Sequence, residues 1–279
     1  MQDFLSKPLS PTRAHSFRDC ELLFRYRSID KLPERPGAAA FKGTLLHSVL
    51  EDMFDLPPHE RTVDTVSGML PTALEKYLET EPDLAFAIDE SLEWPGEPGT
   101  PSDESIQLLL SSARTLTKKY FDLESPQVLN PSEREHHVEV ELGDIRIHGI
   151  IDRIERTADG AIRISDYKTG KSPRPAWAAK YWFQMKFYAL LLYKTEGVLA
   201  KELRLLFLGD GQVLRHSPTV EEIDLFEKEV LELAAQIRAA VQAGRFTPKP
   251  TKLCDWCSFQ ALCPAQGGIE LPLPYTPIA

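Results

Sequence analysis

Between Glu133 and Lys168 the apolar residues change their period, and that switch limits the fold more than any other feature of the chain. His137-Val-Glu-Val-Glu-Leu alternates apolar with polar, Gly143-Asp144 supplies a turn, and Ile145-Arg-Ile-His-Gly-Ile-Ile-Asp-Arg-Ile alternates again. Asp159-Gly160 turns the chain into a third alternating run, residues 161–168. A period of two with Gly-containing turns predicts a three-stranded antiparallel meander. Around it the period is helical. Ser10-Pro11, a cap followed by Pro at the first helical position, predicts a helix through about residue 27. Further helices are expected over 38–55, 63–78 and 103–123, one over 176–195 stopped by Gly197, and one over 219–243 opened by a capping box of Thr219 and Glu222. Strands are expected over 202–208 and near Val213. The pattern predicts an α/β chain: a mixed sheet flanked by helices, with a helical N-terminal elaboration and a Cys-rich C-terminal tail. We expect one domain over 1–279, with 9–130 helical, 131–243 the core and 244–264 the tail.

Charge is distributed unevenly. The net charge is −10, which by itself argues against a polyanionic partner. Nine of the acidic residues lie between Glu79 and Glu104, where there is no Lys or Arg, so the remainder is close to neutral. That Pro- and Glu-rich stretch reads as a long surface loop or mobile flap. From Tyr167 to Thr195 the chain carries six basic residues and no acidic one, including Lys171, Arg174, Lys180 and Lys186. Such a segment suits either a solvated helix face or contact with phosphates. No apolar run is long enough to span a membrane, and the start lacks a secretory pattern, so a cytoplasmic protein is expected.

Asp152 closes the second strand, while Asp166 and Lys168 close the third. Two residues apart on a strand, Asp166 and Lys168 point to the same face. Paired carboxylates beside an ammonium can hold a hard divalent cation and stabilise charge developing on a phosphate. The surrounding residues are Gly149-Ile-Ile-Asp-Arg, Asp166-Tyr-Lys-Thr-Gly, Gln184 and Tyr188 four apart on a helix, and Gly43-Thr-Leu-Leu-His. In this combination and order the chain resembles the RecB-like nucleases of the PD-(D/E)xK superfamily, over nearly its whole length. The resemblance implies that Asp152 and Asp166 bind Mg²⁺ or Mn²⁺, with the Tyr167 carbonyl and His47 as further ligands. It makes Lys168 the catalytic lysine, with Gln184 and Tyr188 orienting the lysine or the DNA. Glu135 and Glu139 compete for the glutamate that the family carries early in its first strand.

Four cysteines are too few for a secreted disulfide framework. Cys20 stands apart; Cys254, Cys257 and Cys263 cluster as Cys-x2-Cys-x5-Cys. Four thiolates suit either zinc or an iron–sulfur cube. The arrangement is similar to that of the iron–sulfur subset of these nucleases, which includes the AddB nuclease domain and CRISPR-adaptation exonucleases. That resemblance implies a [4Fe–4S] cluster stapling the two ends of the chain, although Glu21 stands where the subset has Pro. No Walker A pattern occurs, so any helicase motor would be a partner. The expected activity is metal-dependent cleavage of DNA, with single strands preferred, by an exonuclease of repair or recombination. A non-catalytic DNA-binding or scaffolding subunit and a structure-selective endonuclease are the alternatives. Lys171, Arg174, Lys180 and Lys186 are the expected phosphate contacts; Trp177, Tyr181 and Trp182 either stack on bases or belong to the core.

Overall fold

The meander forms as expected. The computed structural model describes residues 7–277. Strands β1 (Glu133–Leu142), β2 (Ile145–Arg156) and β3 (Ile162–Lys168) pair antiparallel. Strand β4 (Glu202–Phe207) adds parallel to β3, and β5 (Gln212–His216) adds antiparallel to β4, giving a mixed sheet in the order β1-β2-β3-β4-β5. A parallel neighbour requires a crossover, which is the long helix between β3 and β4.

Among the described residues six long helices cover the sheet: α1 (Pro11–Asp19), α2 (Ala38–Asp52), α3 (Val63–Thr80), α4 (Asp103–Leu123), α5 (Ala179–Glu196) and α6 (Val220–Ala243). They divide between two apolar cores. In one, Phe17 of α1, Phe187 and Leu191 of α5 and Phe226 of α6 pack with Ile147, Ile164 and Leu205. In the other, Leu46 and Leu50 of α2, Leu70 of α3 and Tyr120 of α4 pack with Tyr167 and Leu206. Consecutive residues of β4 serve opposite cores, since a strand points successive side chains to opposite faces. Each such fully buried side chain contributes roughly 1.5–3 kcal/mol.

Two elements depart from expectation. The entry helix does not continue to residue 27: Cys20 is extended (φ −164°, ψ 120°), and the chain resumes as a short helix, Glu21–Phe24, and a π-helical turn, Arg25–Ile29. The break turns the Cys20 sulfur toward the tail, where it accepts the Lys249 amide at 3.4 Å. The acidic stretch is not a free flap. Within it Pro82–Leu84 and Ala85–Ile88 are helical, and Ala85, Phe86 and Ala87 are buried. Arg35 holds the segment through the carbonyls of Phe86, Asp89 and Leu92. Among the described residues, no helix is long and apolar enough to cross a membrane.

Candidate active site

The sheet ladder opens at the site. Pairing between β1 and β2 runs from Glu133↔Ile154 to Leu142↔Ile145 and skips only the step that would join Glu135 to Asp152. Glu135 there has φ +40°, a left-handed conformation that a side-chain-bearing residue rarely adopts. On the other side, β2–β3 pairing stops at Arg153↔Ser165, one step before Asp152 would meet Asp166. The Asp152 carboxylate fills the gap by accepting the Tyr167 amide at 2.8 Å. Helices on both faces can therefore reach the opened strands.

From α2 comes His47. Its Nδ1 is 3.3 Å from Asp152 Oδ2 and 4.0 Å from Glu135 Oε1, and its Nε2 is 2.9 Å from the Tyr167 carbonyl oxygen. His47, Glu135 and Asp152 each offer a donor atom within 4.8 Å of the others, the one such group of three among the described residues. The 2.9 Å spacing suits a hydrogen bond from Nε2, which leaves Nδ1 as the ring nitrogen that faces the two carboxylates. Glu139, the competing glutamate, pairs with Arg146 at 2.7 Å on the exposed side of the strand. Of the two, Glu135 is thus the one that the structure brings beside Asp152 and His47.

From α5 come Gln184 and Tyr188. The Lys168 ammonium lies 2.6 Å from Asp166 Oδ2 and donates to Gln184 Oε1 at 2.9 Å; Gln184 Nε2 in turn donates to the Tyr188 hydroxyl at 2.7 Å. Gly149 permits this approach, because a Cβ there would come within 2.9 Å of both the Tyr188 ring and Leu191. Asp166 is 1% exposed, and its Oδ1 has no hydrogen-bond partner. Burial, then the nearby Asp166 charge, push the Asp152 carboxyl up to about 7, against the pull of His47 and Lys168. Burial opposes the charge on Lys168, yet the carboxylates of Asp166 and Asp152 outweigh it and hold its pKa above the ordinary value. A buried, partnerless carboxylate oxygen beside a repelled carboxyl group fits a divalent cation, and the predominantly oxygen donor set suits Mg²⁺ or Mn²⁺.

Beneath the site lies a salt-bridge network that sequence reasoning missed. Arg153 is buried, donating to Glu124 at 2.7 and 3.0 Å and to the Tyr167 hydroxyl at 2.6 Å, and lying 2.7 Å from Glu155; Arg204 adds a second contact to Glu124 at 2.8 Å. It anchors β2 directly after Asp152. The Arg that follows Asp152 was the visible signal; its partner at the end of α4 had none.

The expected phosphate contacts separate. Lys171 and Arg174 are exposed in the segment before α5. Lys180 lines a cleft of about 230 Å³ together with Lys168, Gln184, Tyr181 and Arg27. Lys186 does not join them: its ammonium is 3.7 Å from Glu222 of α6, so an acidic neighbour occupies it. Tyr181 and Trp182 are half-buried against the core, whereas Trp177 is 73% exposed.

All four cysteines are reduced and half-buried, and they line one cavity of about 80 Å³. The Cys254 sulfur accepts the Thr251 amide at 3.3 Å. Burial, with Cys20 and Cys254 close by, raises the Cys257 thiol. Four convergent thiols in one cavity are a donor set that fits a thiolate-bound metal centre.

Comparison with known proteins places the family and the fold. Residues 8–264 match the model of the PD-(D/E)XK nuclease superfamily. The Gene 69 protein of Mycobacterium phage L5 is 25% identical, the match covering 93% of this chain and 98% of that protein. The Gene 69 protein of Mycobacterium phage D29 is 24% identical, covering 91% and 96%. A solved structure from Eubacterium rectale, provisionally designated an exonuclease, superposes with a TM-score of 0.54 at 11% identity, covering 100% of this chain and 93% of that one.

Proposed function

Because the chain belongs to the PD-(D/E)XK nuclease superfamily, we propose that it is an exonuclease that shortens DNA from an end, prefers single strands and serves repair or recombination. The observation that carries this reading is the pairing of buried Asp166, its Oδ1 unpartnered, with an ammonium at 2.6 Å that also lines an open cleft. Asp152, Asp166, His47, Glu135 and the Tyr167 carbonyl would hold Mg²⁺ or Mn²⁺. When bound, the ion supplies charge neutralisation at the phosphate and a water of lowered pKa. The chain does the rest. Gln184, itself steadied by Tyr188, fixes the Lys168 ammonium, which stays protonated and faces the phosphate as negative charge builds. Tyr181 and Lys180 line the cleft where a strand would enter, offering an aromatic face and a cation.

A strand end must be unpaired before it enters, so a separate helicase would be a natural partner. Cys20, Cys254, Cys257 and Cys263 would hold a [4Fe–4S] cluster. The cavity that all four side chains line is what supports a thiolate-bound centre there.

The test is cleavage of end-labelled single-stranded DNA by anaerobically purified protein with Mn²⁺, Mg²⁺ or EDTA. Metal-dependent shortening from one end, absent in Asp166→Ala, supports the reading. Internal cuts would make it an endonuclease, and binding without cleavage would make it a DNA-binding subunit.

A further inference from the structure

Beyond the catalytic cleft, a second and larger one of about 530 Å³ lies against the other side of α1. Thr12, Ser16 and Arg27 line both, so the two meet there. Arg13, Lys31 and His148 of β2 lie along the larger cleft, and no acidic side chain lines it. In a chain of net charge −10, a cleft without a carboxylate stands out. Arg13 donates to the carbonyls of Pro8 at 2.7 Å and Lys7 at 3.4 Å, which aim the guanidinium without neutralising it. Lys31 is exposed at φ +51°, with Glu135 one of the two non-glycine residues in the left-handed region among the described residues. Arg27, at the junction, is clamped by Glu34 through two contacts of 2.7 Å, so its direction is fixed while its charge is balanced. Beyond Lys180, which lines the catalytic cleft, the basic residues of α5 offer no rival path along that helix: Lys186 faces Glu222, and Lys194 is 2.6 Å from Glu227.

We propose that a single nucleic-acid strand passes from the catalytic cleft over Arg27 into this second cleft, where Arg13, Lys31 and His148 hold its backbone phosphates. The proposal rests on the nuclease reading and extends it from the reacting phosphate to the strand beyond it. Contacts of this kind are sequence-independent and screened by salt. They would keep the strand in register after each cut.

The test is fluorescence anisotropy of labelled oligo(dT), titrated with the full chain carrying Asp166→Ala so that the strand stays intact. Lys31→Glu, at an exposed position, and Arg13→Glu are each expected to weaken binding roughly tenfold and to lower the salt slope by about one. Lys31→Arg should bind as the parent does. Because Arg13 also tethers the segment before α1, its variant counts only if its melting temperature matches the parent's; Lys31→Glu carries the test otherwise. Unchanged affinity and slope in Lys31→Glu overturn the proposal, as would weakening confined to Lys171→Glu and Arg174→Glu, which would place the strand along the segment before α5. Separately, the chain with Asp166 intact is assayed for cleavage. Cleavage with unchanged binding by Lys31→Glu sinks the path alone; weakened binding without any cleavage sinks the nuclease reading alone.

Discussion

Asp166 Oδ1 is buried without a partner, a state that costs roughly 1–3 kcal/mol or more for a charged group. An ion held as proposed would satisfy it, so side-chain chemistry and metal binding make one prediction. Asp166→Ala and Lys168→Ala should each lower the cleavage rate by about 10²-fold or more while far-UV circular dichroism stays native. Normal cleavage by either purified variant would refute the mechanism. The second prediction concerns protons. Asp152 titrates near 7 in the folded chain, raised by burial and then by Asp166, but near about 4 when unfolded. Folding therefore takes up a proton between those values, and metal-free protein should lose stability as pH rises through that window. Melting in EDTA should show that slope, flattened in Asp152→Asn, with added Mn²⁺ restoring most stability at the high end. A melting temperature in EDTA that is flat or rising with pH would contradict it.

Among the elements, the contact of β2 with α5 carries the most. Gly149→Ala would press a methyl into Tyr188 and Leu191 at 2.9 Å, destabilising the fold by about 1–3 kcal/mol and shifting the Tyr188–Gln184–Lys168 chain. Chemical denaturation and cleavage rate should fall together; an unchanged melt would mean α5 moves freely. At this scale one sees why the site was partly legible. Asp166 and Lys168 share a face through the strand period, and Gln184 and Tyr188 through the helical one, so local spacing alone fixed those orientations. The meander was legible for the same reason. Glu135 could be separated from Glu139 only once the ladder gap opposite Asp152 was visible. Nothing local marks the extended Cys20 that ends α1, because its cause lies in the tail. Ala85, Phe86 and Ala87 were hidden by the acidic composition around them. Lys186 looked available until α6 placed Glu222 beside it.

The whole molecule is closed by its ends. Leu9 bonds to the β2 edge at Arg146 and His148, Cys20 shares a cavity with the three tail cysteines, and the Tyr26 hydroxyl donates to the Leu262 carbonyl. With the proposed cluster in place, Cys254→Ala should abolish iron binding and lower stability by on the order of 3 kcal/mol, the scale of a covalent staple across a long loop. Elemental analysis for iron and a thermal melt would check it; unchanged iron and an unchanged melt would exclude Cys254 as a ligand. Arg25 makes the closure stricter. Its buried guanidinium is 2.9 Å from Asp30 and bonds to Glu270 at 2.6 Å and to the carbonyls of Leu271 and Pro272 at 2.7 and 2.8 Å. Those last three partners are synthesised long after Arg25 itself. Until residues 270–272 have left the ribosome, the entry segment therefore has no finished seat. A chain halted before residue 270 would thus carry every residue of the candidate active site while Arg25 still lacked the contacts that seat the entry segment.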